Sequence, residues 1–147
     1  MNIRPVNESD SADWGRMREA LWPSGTGKHA AQIRGYFAGW LKEPLEVLIA
    51  LDEKNNAVGF IELSIRAYAP GCSTDNVAFV EGWYVDPAAR RTGVGAALVN
   101  AAGTWARKKG CTELASDTEI ENVLSAKAHL AAGFSETGII RCFKKTL

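Results

Sequence analysis

The sequence has no surplus of charge of either sign. Its 17 lysines and arginines balance its 17 aspartates and glutamates, so the formal net charge is zero at pH 7. Proteins that bind nucleic acid usually carry a broad basic face, so this class is disfavoured. The charges are nevertheless unevenly spread, because Arg90 and Arg91 are adjacent while Glu81, Asp117 and Glu119 lie in other strand ends and loops. We therefore expect one anionic and one cationic ligand.

Cysteine is also scarce, and long apolar runs are absent. The three cysteines, Cys72, Cys111 and Cys142, form no Cys-x-x-Cys pair, which gives no metal pattern and favours reduced thiols. No stretch approaches the length of a membrane span, and the first residues lack the apolar core of a signal peptide. We expect a cytoplasmic protein without a membrane partner. With 147 residues, of which 46% are hydrophobic, residues 1–147 should form a single globular domain.

Hydrophobic periodicity predicts strands interspersed with helices. Alternating patterns and short apolar runs predict strands at residues 2–6, 46–51, 57–67, 77–86, 111–116, 134–137 and 139–144. A period of 3.6 residues predicts helices at residues 13–21, 30–41, 93–109 and 121–132, with Trp14, Met17, Ile33 and Phe37 in the core. This order indicates a mixed α/β (or α+β) sheet, mostly antiparallel, in which a helical crossover creates one central parallel strand pair.

The junction between the strand at 77–86 and the following helix carries the strongest functional signal. The strand ends at Asp86-Pro87, and the loop Arg90-Arg91-Thr92-Gly93-Val94-Gly95 leads into the helix. A helix N-terminus offers unpaired N–H groups to anions, and glycines allow close approach. The loop is therefore predicted to bind a polyphosphate. It is neither a Walker loop nor a GxGxxG fingerprint, and the alternative is a charged loop with a glycine-softened helix start.

This loop, with the spacing R-x-x-G-x-G after strand-Asp-Pro, resembles the acetyl-CoA pyrophosphate arm of the GNAT N-acetyltransferase superfamily. Residues 122–134 resemble a second motif of that family, with His129 at the position of its tyrosine. The resemblance covers essentially the whole chain and implies the GNAT acyl-CoA N-acyltransferase fold. Further likeness to aminoglycoside 6'-N-acetyltransferases is carried by Leu21-Trp22-Pro23, residues 79–82, 114–118 and 121–122, and Lys127-x-His129.

The resemblance also implies a set of site residues. The acceptor pocket would contain Trp22, Tyr68, Glu81 and Asp117. The acetyl and pantetheine end of the cosubstrate would lie along Trp83, Tyr84 and Val85, and Asn122 would contact the pantetheine or the pocket wall. The diphosphate would be held by the loop and the first helical turn, namely Arg90, Arg91, Thr92, Gly93, Val94, Gly95 and Ala96. One acidic residue of the family is replaced by Gly138, with Glu136 two places earlier, which leaves the preferred aminoglycoside open.

The chemistry assigns roles to three of these side chains. An aliphatic ammonium, with a pKa of about 9 to 10, must lose a proton before its nitrogen attacks a thioester. Glu81 and Asp117 are the candidate proton acceptors, although either could serve chiefly to bind the cation. His129 would protonate the departing CoA thiolate, or would only pack in the fold. The resemblance further implies a bulge near the end of the central strand, which would free the N–H of Tyr84 or Val85 for the oxyanion.

The sequence therefore predicts an enzyme, an acetyl-CoA-dependent aminoglycoside 6'-N-acetyltransferase that confers antibiotic resistance. No cysteine lies in a nucleophile pair with a histidine, so direct attack in a ternary complex is expected. Acetyl-CoA is the expected cosubstrate, with no metal, and the acceptor is an aminoglycoside or another polycationic amine. The alternatives are acetylation of a polyamine, amino-sugar or protein amine, and a CoA-binding module without turnover. Related enzymes are often homodimers, so a homodimer is expected by analogy.

Overall fold

A computed structural model describes residues 1–147 and contains one five-stranded sheet in the order β1-β2-β3-β4-β5. The strands are β1 (Asn2–Pro5), β2 (Glu46–Leu51), β3 (Ala57–Arg66), β4 (Val77–Val85) and β5 (Leu114–Ala115). The first four strands pair antiparallel, whereas β5 pairs parallel to β4. The predicted mixed sheet with one parallel pair is thus confirmed, although this pair lies at the edge of the sheet rather than at its centre, and the predicted strand at 111–116 is reduced to two residues.

Four α-helices flank the sheet, namely α1 (Ser11–Leu21), α2 (His29–Ala38), α3 (Val94–Lys108) and α4 (Val123–Ala131). Helices α1 and α2 share one core with β2 and β3, in which Trp14, Met17 and Ile33 are buried as predicted. Phe37 packs half-buried against this core. Helix α3 packs on the other face of the sheet through Leu98 and its neighbours. None of the helices has the length and apolar character needed to cross a membrane.

The pairing of β3 and β4 shifts by one residue near the centre of the sheet. Glu62 pairs with Gly82 and Leu63 pairs with Val80, which leaves Glu81 as an extra residue in β4. Such a bulge re-aims a side chain and increases the local twist. A bulge was predicted nearer the end of the strand, at Tyr84 or Val85, but pairing there is regular. The residues of β4 alternate regularly between the two faces in the sequence, so the sequence gives no sign that Glu81 is the inserted residue.

Strands β4 and β5 are paired over only two positions. Ala78 lies opposite Leu114, and Phe79 lies opposite Ala115. Beyond Phe79, β4 continues without a strand paired to it on this side. We call the resulting opening the β4–β5 cleft, with residues 80–85 on one side and the chain following Ala115 on the other.

The C-terminal residues differ from the prediction. The strands expected at 134–137 and 139–144 do not form, and the chain after α4 runs without regular structure. Thr137 Oγ1 donates to the Pro70 carbonyl at 3.3 Å. Further along, Ile139, Ile140 and Phe143 are between 64% and 91% exposed. An apolar pattern can predict an extended segment, but it does not tell whether the partner edge belongs to the same chain.

Candidate active site

The loop after β4 presents backbone amides at the start of α3. Arg91 and Gly93 have φ values of 63° and 92°, and α3 begins at Val94. Thr92 Oγ1 donates to the Ala89 carbonyl at 2.5 Å and closes the loop on itself. No atom lies within 4 Å of the point where a Cβ on Gly93 would sit. The N–H groups of the first helical turn have no intrahelical acceptors, so an anion can approach them here.

The two arginines of this loop have different surroundings. Arg90 Nε donates to the Val85 carbonyl at 2.8 Å, and the guanidinium carbon lies 5.8 Å from the Tyr84 ring centroid. Arg90 is therefore fastened to the end of β4. Arg91 is exposed and takes part in none of the ion pairs of the chain. Of the two arginines predicted to contact phosphate, Arg91 is therefore the one that is exposed and held by no ion pair within the protein.

Aromatic rings bridge the β4–β5 cleft. The rings of Trp83 and His129 lie 5.1 Å apart and almost perpendicular, and His129 in turn contacts Phe134 at 5.2 Å. A Cβ on Gly95 would lie 3.2 Å from the Trp83 ring, so glycine allows α3 to approach β4. Trp83 Nε1 is the one buried side-chain polar atom without a hydrogen-bond partner. Buried donors in proteins usually have an acceptor, so Trp83 Nε1 is a candidate donor to a ligand bound in this cleft.

The backbone of β4 also faces this cleft at alternate residues. Asp86 N–H donates to the Val58 carbonyl of the neighbouring β3 edge at 2.8 Å. Alternate residues of an antiparallel strand direct their N–H groups to the same side. Tyr84 therefore directs its N–H toward β3, and Val85 directs its N–H toward the cleft. Of the two predicted oxyanion donors, Val85 is therefore the one whose N–H faces the cleft.

Two serines fix the ring of His129. Its Nδ1 lies 2.7 Å from the Ser125 carbonyl, which can only accept, so Nδ1 carries a proton. Its Nε2 lies 2.7 Å from Ser116 Oγ, and the neutral ring therefore accepts the hydroxyl proton there. Only the imidazolium form has a proton at Nε2 to give away. Ser116 lies in a stretch that carries the family likeness, but no signal in the sequence predicts its contact with His129.

The side chain of the bulge residue, Glu81, is held by two residues of β3. Ser64 Oγ donates to Glu81 Oε2. Arg66 Nε donates to the same oxygen at 3.1 Å, and Arg66 Nη2 donates to Oε1 at 2.7 Å. The Glu81 side chain remains 21% exposed, so a ligand can still reach it. Neither Ser64 nor Arg66 was identified from the sequence.

The six-membered ring of Trp22 lies against the bulged part of β4. A Cβ on Gly82 would lie 2.8 Å from Trp22 Cζ2, so only glycine permits this contact. The guanidinium carbon of Arg18 lies 4.9 Å from the Trp22 ring, and the His29 ring is stacked on it with centroids 6.5 Å apart. Trp22 and Glu81 line a cavity of about 240 Å³, whose other wall residues are Trp14, Arg18, Gln32, Leu41, Glu43, Pro44 and Glu62.

A buried ionic network forms the floor of this cavity. Arg18 forms a salt bridge with Glu62, donates to Gln32 Oε1, and lies with its Nε 3.2 Å from His29 Nδ1. Trp14 Nε1 donates to Glu62 Oε1 at 3.0 Å. Arg18 and Glu62 are only 8% and 3% exposed. Burial raises the pKa of the Glu62 carboxyl, against the opposing effect of Arg18. Sequence reasoning missed this network because periodicity does not reveal paired charges.

Three predicted site residues are absent from the wall of this cavity. Tyr68 is 72% exposed, and Asp117 is exposed just after β5. Asn122 Oδ1 accepts the N–H of the residue three positions later at 3.0 Å and so caps α4. Asp117 is nevertheless close enough to Arg66 to raise the pKa of its guanidinium, as Glu81 does more strongly. Two of the four predicted acceptor-site residues are therefore gathered in one cavity.

The chain matches the acetyltransferase (GNAT) family over residues 14–134 and belongs to that family. It is 55% identical to aminoglycoside N(6')-acetyltransferase type 1 of Klebsiella aerogenes, over 99% of this chain and 96% of that protein. It is 38% identical to the protein of the same name from Acinetobacter haemolyticus, over 100% of this chain and 99% of that one. The predicted resemblance to GNAT enzymes is confirmed.

Solved structures match at the level of the whole fold. AAC(6')-Iy, in complex with the bisubstrate analogue CoA-S-monomethyl-acetylneamine, has a TM-score of 0.89 and 36% identity, covering 99% of this chain and 98% of that one. The 6'-N-acetyltransferase AAC(6')-IG from Acinetobacter haemolyticus, without ligand, has a TM-score of 0.87 and 36% identity, covering 100% of this chain and 99% of that one.

Proposed function

We propose that this protein transfers the acetyl group of acetyl-CoA to the 6'-amine of aminoglycoside antibiotics and so confers resistance to them. One observation carries the proposal, namely that two complementary sites lie on either side of the bulged strand β4. The β4–β5 cleft and the adjoining loop offer unpaired donors, which suit the amides and diphosphate of CoA. The cavity beside Trp22 offers the carboxylates of Glu81 and Glu43, which suit a polycationic sugar. The names of its relatives support the same activity.

Release of free thiol from acetyl-CoA in the presence of tobramycin or kanamycin tests this function. We expect turnover with drug, an acetyl group on the 6' nitrogen by mass spectrometry, and growth of expressing cells at higher drug concentrations. Turnover only with a polyamine, amino-sugar or protein amine would replace the proposed acceptor. Tight binding of CoA without turnover on any amine would instead indicate a non-catalytic module.

Acetyl-CoA supplies the activated acetyl group as a thioester, and several residues of the chain are suited to hold it. The loop amides and Arg91 would bind the diphosphate, and Trp83 Nε1 would donate to the pantetheine arm. The cleft-facing N–H of Val85 would stabilise the oxyanion, a contribution of about 3 to 4 kcal/mol in other enzymes. Thr92 and Arg90 shape the loop through their contacts with its own backbone.

Replacing Arg91 with alanine is expected to weaken acetyl-CoA binding about tenfold, because a charge-assisted contact with phosphate is lost. The aminoglycoside affinity should change little, since Arg91 lies on the loop rather than in the acceptor cavity. Isothermal titration with each ligand separates the two effects. Arg90→Ala provides a comparison within the same loop, and equal losses for both ligands in the Arg91 variant would contradict the assignment.

At the acceptor side, we assign Glu81 to bind the ammonium and Asp117 to accept its proton through water. Glu81 already accepts hydrogen bonds from Ser64 and Arg66, which makes its carboxylate an anchor more than a base. Asp117 is exposed at the end of β5, and open sheets bind ligands at strand ends. Tyr68 and Asn122 would contribute to the outer walls of the acceptor and pantetheine sites.

Replacing Asp117 with asparagine is expected to lower kcat for aminoglycosides by roughly 100-fold, the scale of general-base catalysis. The neutral amide keeps the shape of the side chain but cannot take up the ammonium proton. Steady-state rates measured from acid to alkaline pH should show the deficit shrinking as the free amine becomes abundant. An unchanged kcat/KM for the drug would remove Asp117 from the site.

His129 is proposed to assist departure of the CoA thiolate, and it can do so only as imidazolium. In the neutral ring Nδ1–H is engaged with Ser125 and Nε2 is an acceptor for Ser116. A thiolate is a good leaving group, so this assistance is expected to be small. A ¹⁵N NMR titration of the His129 ring would report its protonation, and a ring that stays neutral at the working pH would exclude the role.

We further propose that residues 1–147 form a single cytoplasmic domain that assembles as a homodimer. The three free cysteines agree with a reducing compartment. Helix α4 buries none of its residues, and Leu124, Leu130, Ile139 and Phe143 are all more than half exposed. Apolar surface of this extent is typical of an interaction site. Sedimentation equilibrium at micromolar concentration checks this, and a monomer there would contradict it.

A further inference from the structure

Glu81 is assigned to bind the acceptor ammonium, but its carboxylate already forms an ion pair within the protein. Arg66 donates to both carboxylate oxygens, at 3.1 Å and 2.7 Å. This is the bidentate geometry in which a guanidinium meets a carboxylate most favourably. In the free protein, the main anionic group of the acceptor site is therefore neutralised from within.

The surroundings of Arg66 allow its head group to move without leaving the site. Its guanidinium carbon lies 3.6 Å from the centroid of the Phe79 ring, a cation–π contact that does not depend on Glu81. The Arg66 side chain is 40% exposed, so no buried charge would be stranded if it turned away. The negative charges of Asp117 and Glu43 also raise the pKa of the Arg66 guanidinium. The Arg66 guanidinium is thus a cation that can be exchanged for a substrate ammonium, and it lies among the carboxylates that would bind that ammonium.

We propose that Arg66 is an intramolecular counter-cation, which the substrate ammonium must displace from Glu81, and that this competition selects polycationic acceptors over simple amines. The inference rests on the proposed function, in which Glu81 binds the acceptor. Exchange of one cation for another at Glu81 yields little net binding, because partly exposed ion pairs contribute only about 0 to 1 kcal/mol. A monoamine gains nothing further. An aminoglycoside adds contacts from its other ammonium groups and from sugar rings packed on Trp22.

The proposal predicts that removal of the Arg66 charge relaxes selectivity. We compare Arg66→Gln, which can still donate one hydrogen bond to Glu81, with the wild-type protein by isothermal titration without cosubstrate. The ligands are tobramycin and methyl 6-amino-6-deoxyglucoside, a sugar with a single amine. The variant should bind the monoamine up to about fivefold more tightly, and its preference for tobramycin should shrink. Circular dichroism melting confirms that the variant is folded.

Two further variants make the result decisive. Arg66→Lys keeps a cation beside Glu81 and should retain most of the wild-type preference. Arg66→Gln combined with Glu81→Gln should lose the gain in monoamine affinity, because no carboxylate is then released. Unchanged or weaker monoamine binding by Arg66→Gln would overturn the proposal and would make Arg66 a residue that orients Glu81. A wild-type protein that does not bind tobramycin would refute the proposed function, whereas the monoamine comparison still decides the role of Arg66.

Discussion

Replacing Arg18 with methionine is expected to lower the free energy of unfolding by about 3 to 5 kcal/mol, which is typical when one partner of a buried ion pair is removed. Methionine fills much of the volume of arginine, so the lost stability comes from the missing charge more than from a cavity. Glu62 would keep the Trp14 hydrogen bond but would be left in an apolar core without its counter-ion. Urea denaturation at neutral pH measures the change.

The pH dependence identifies Glu62 as the source of that loss. Burial raises the pKa of Glu62 in the folded state above its unfolded value, so the folded protein binds more protons between these two values. Stability linked to this group is therefore present at acid pH and is lost as the pH rises through this window. Without Arg18 the window widens upward, so the deficit of Arg18→Met should be smaller near about pH 5 than at neutral pH.

A double variant provides the matched control. Arg18→Met combined with Glu62→Gln removes both charges, and the amide can still accept from Trp14. It should be more stable than Arg18→Met alone, because replacement of a whole buried pair is far less damaging than loss of one partner. Equal stability of the single and double variants would show that Arg18 contributes through packing on Trp14 and Trp22 instead.

The fold could be predicted from local patterns because its helices and strands bury one regular face. Trp14 and Met17 lie three residues apart in α1, Ile33 lies in α2, and all three are buried where periodicity places them. The helix start after Gly93 could be predicted for a similar reason, since glycine and arginine mark it within six residues. Each of these signals lies within a short stretch of sequence, and each reflects a requirement of the local backbone conformation.

The parts that were missed depend on contacts between residues distant in sequence. The pair Arg18–Glu62 spans 44 positions, and the pair Arg66–Glu81 spans 15. The bulge at Glu81 is a shift of register between two strands, and register is a property of the pair. The C-terminal strands failed for the same reason, because an apolar pattern cannot name the edge with which it pairs.

The glycine beside the bulge leads to the second large effect. Replacing Gly82 with valine is expected to reduce kcat/KM for aminoglycosides by about 100-fold, the effect of misplacing a reacting group by roughly 1 Å. A side chain at this position would collide with the Trp22 ring, which Arg18, His29 and Phe60 prevent from retreating. Overpacking should also lower the free energy of unfolding by about 1 to 3 kcal/mol.

The cosubstrate and a second variant separate this effect from general damage. Acetyl-CoA affinity, measured by isothermal titration, should remain near the wild-type value, because no residue of the loop before α3 lines the cavity beside Trp22. If Gly82→Val acts by displacing Trp22, its effect on kcat/KM should largely vanish when Trp22 has already been replaced with alanine. Steady-state kinetics of the two single variants and the double variant measure this coupling. Losses that simply multiply in the double variant would mean that Gly82 serves β4 itself, and that Trp22 contributes to the acceptor site independently of it.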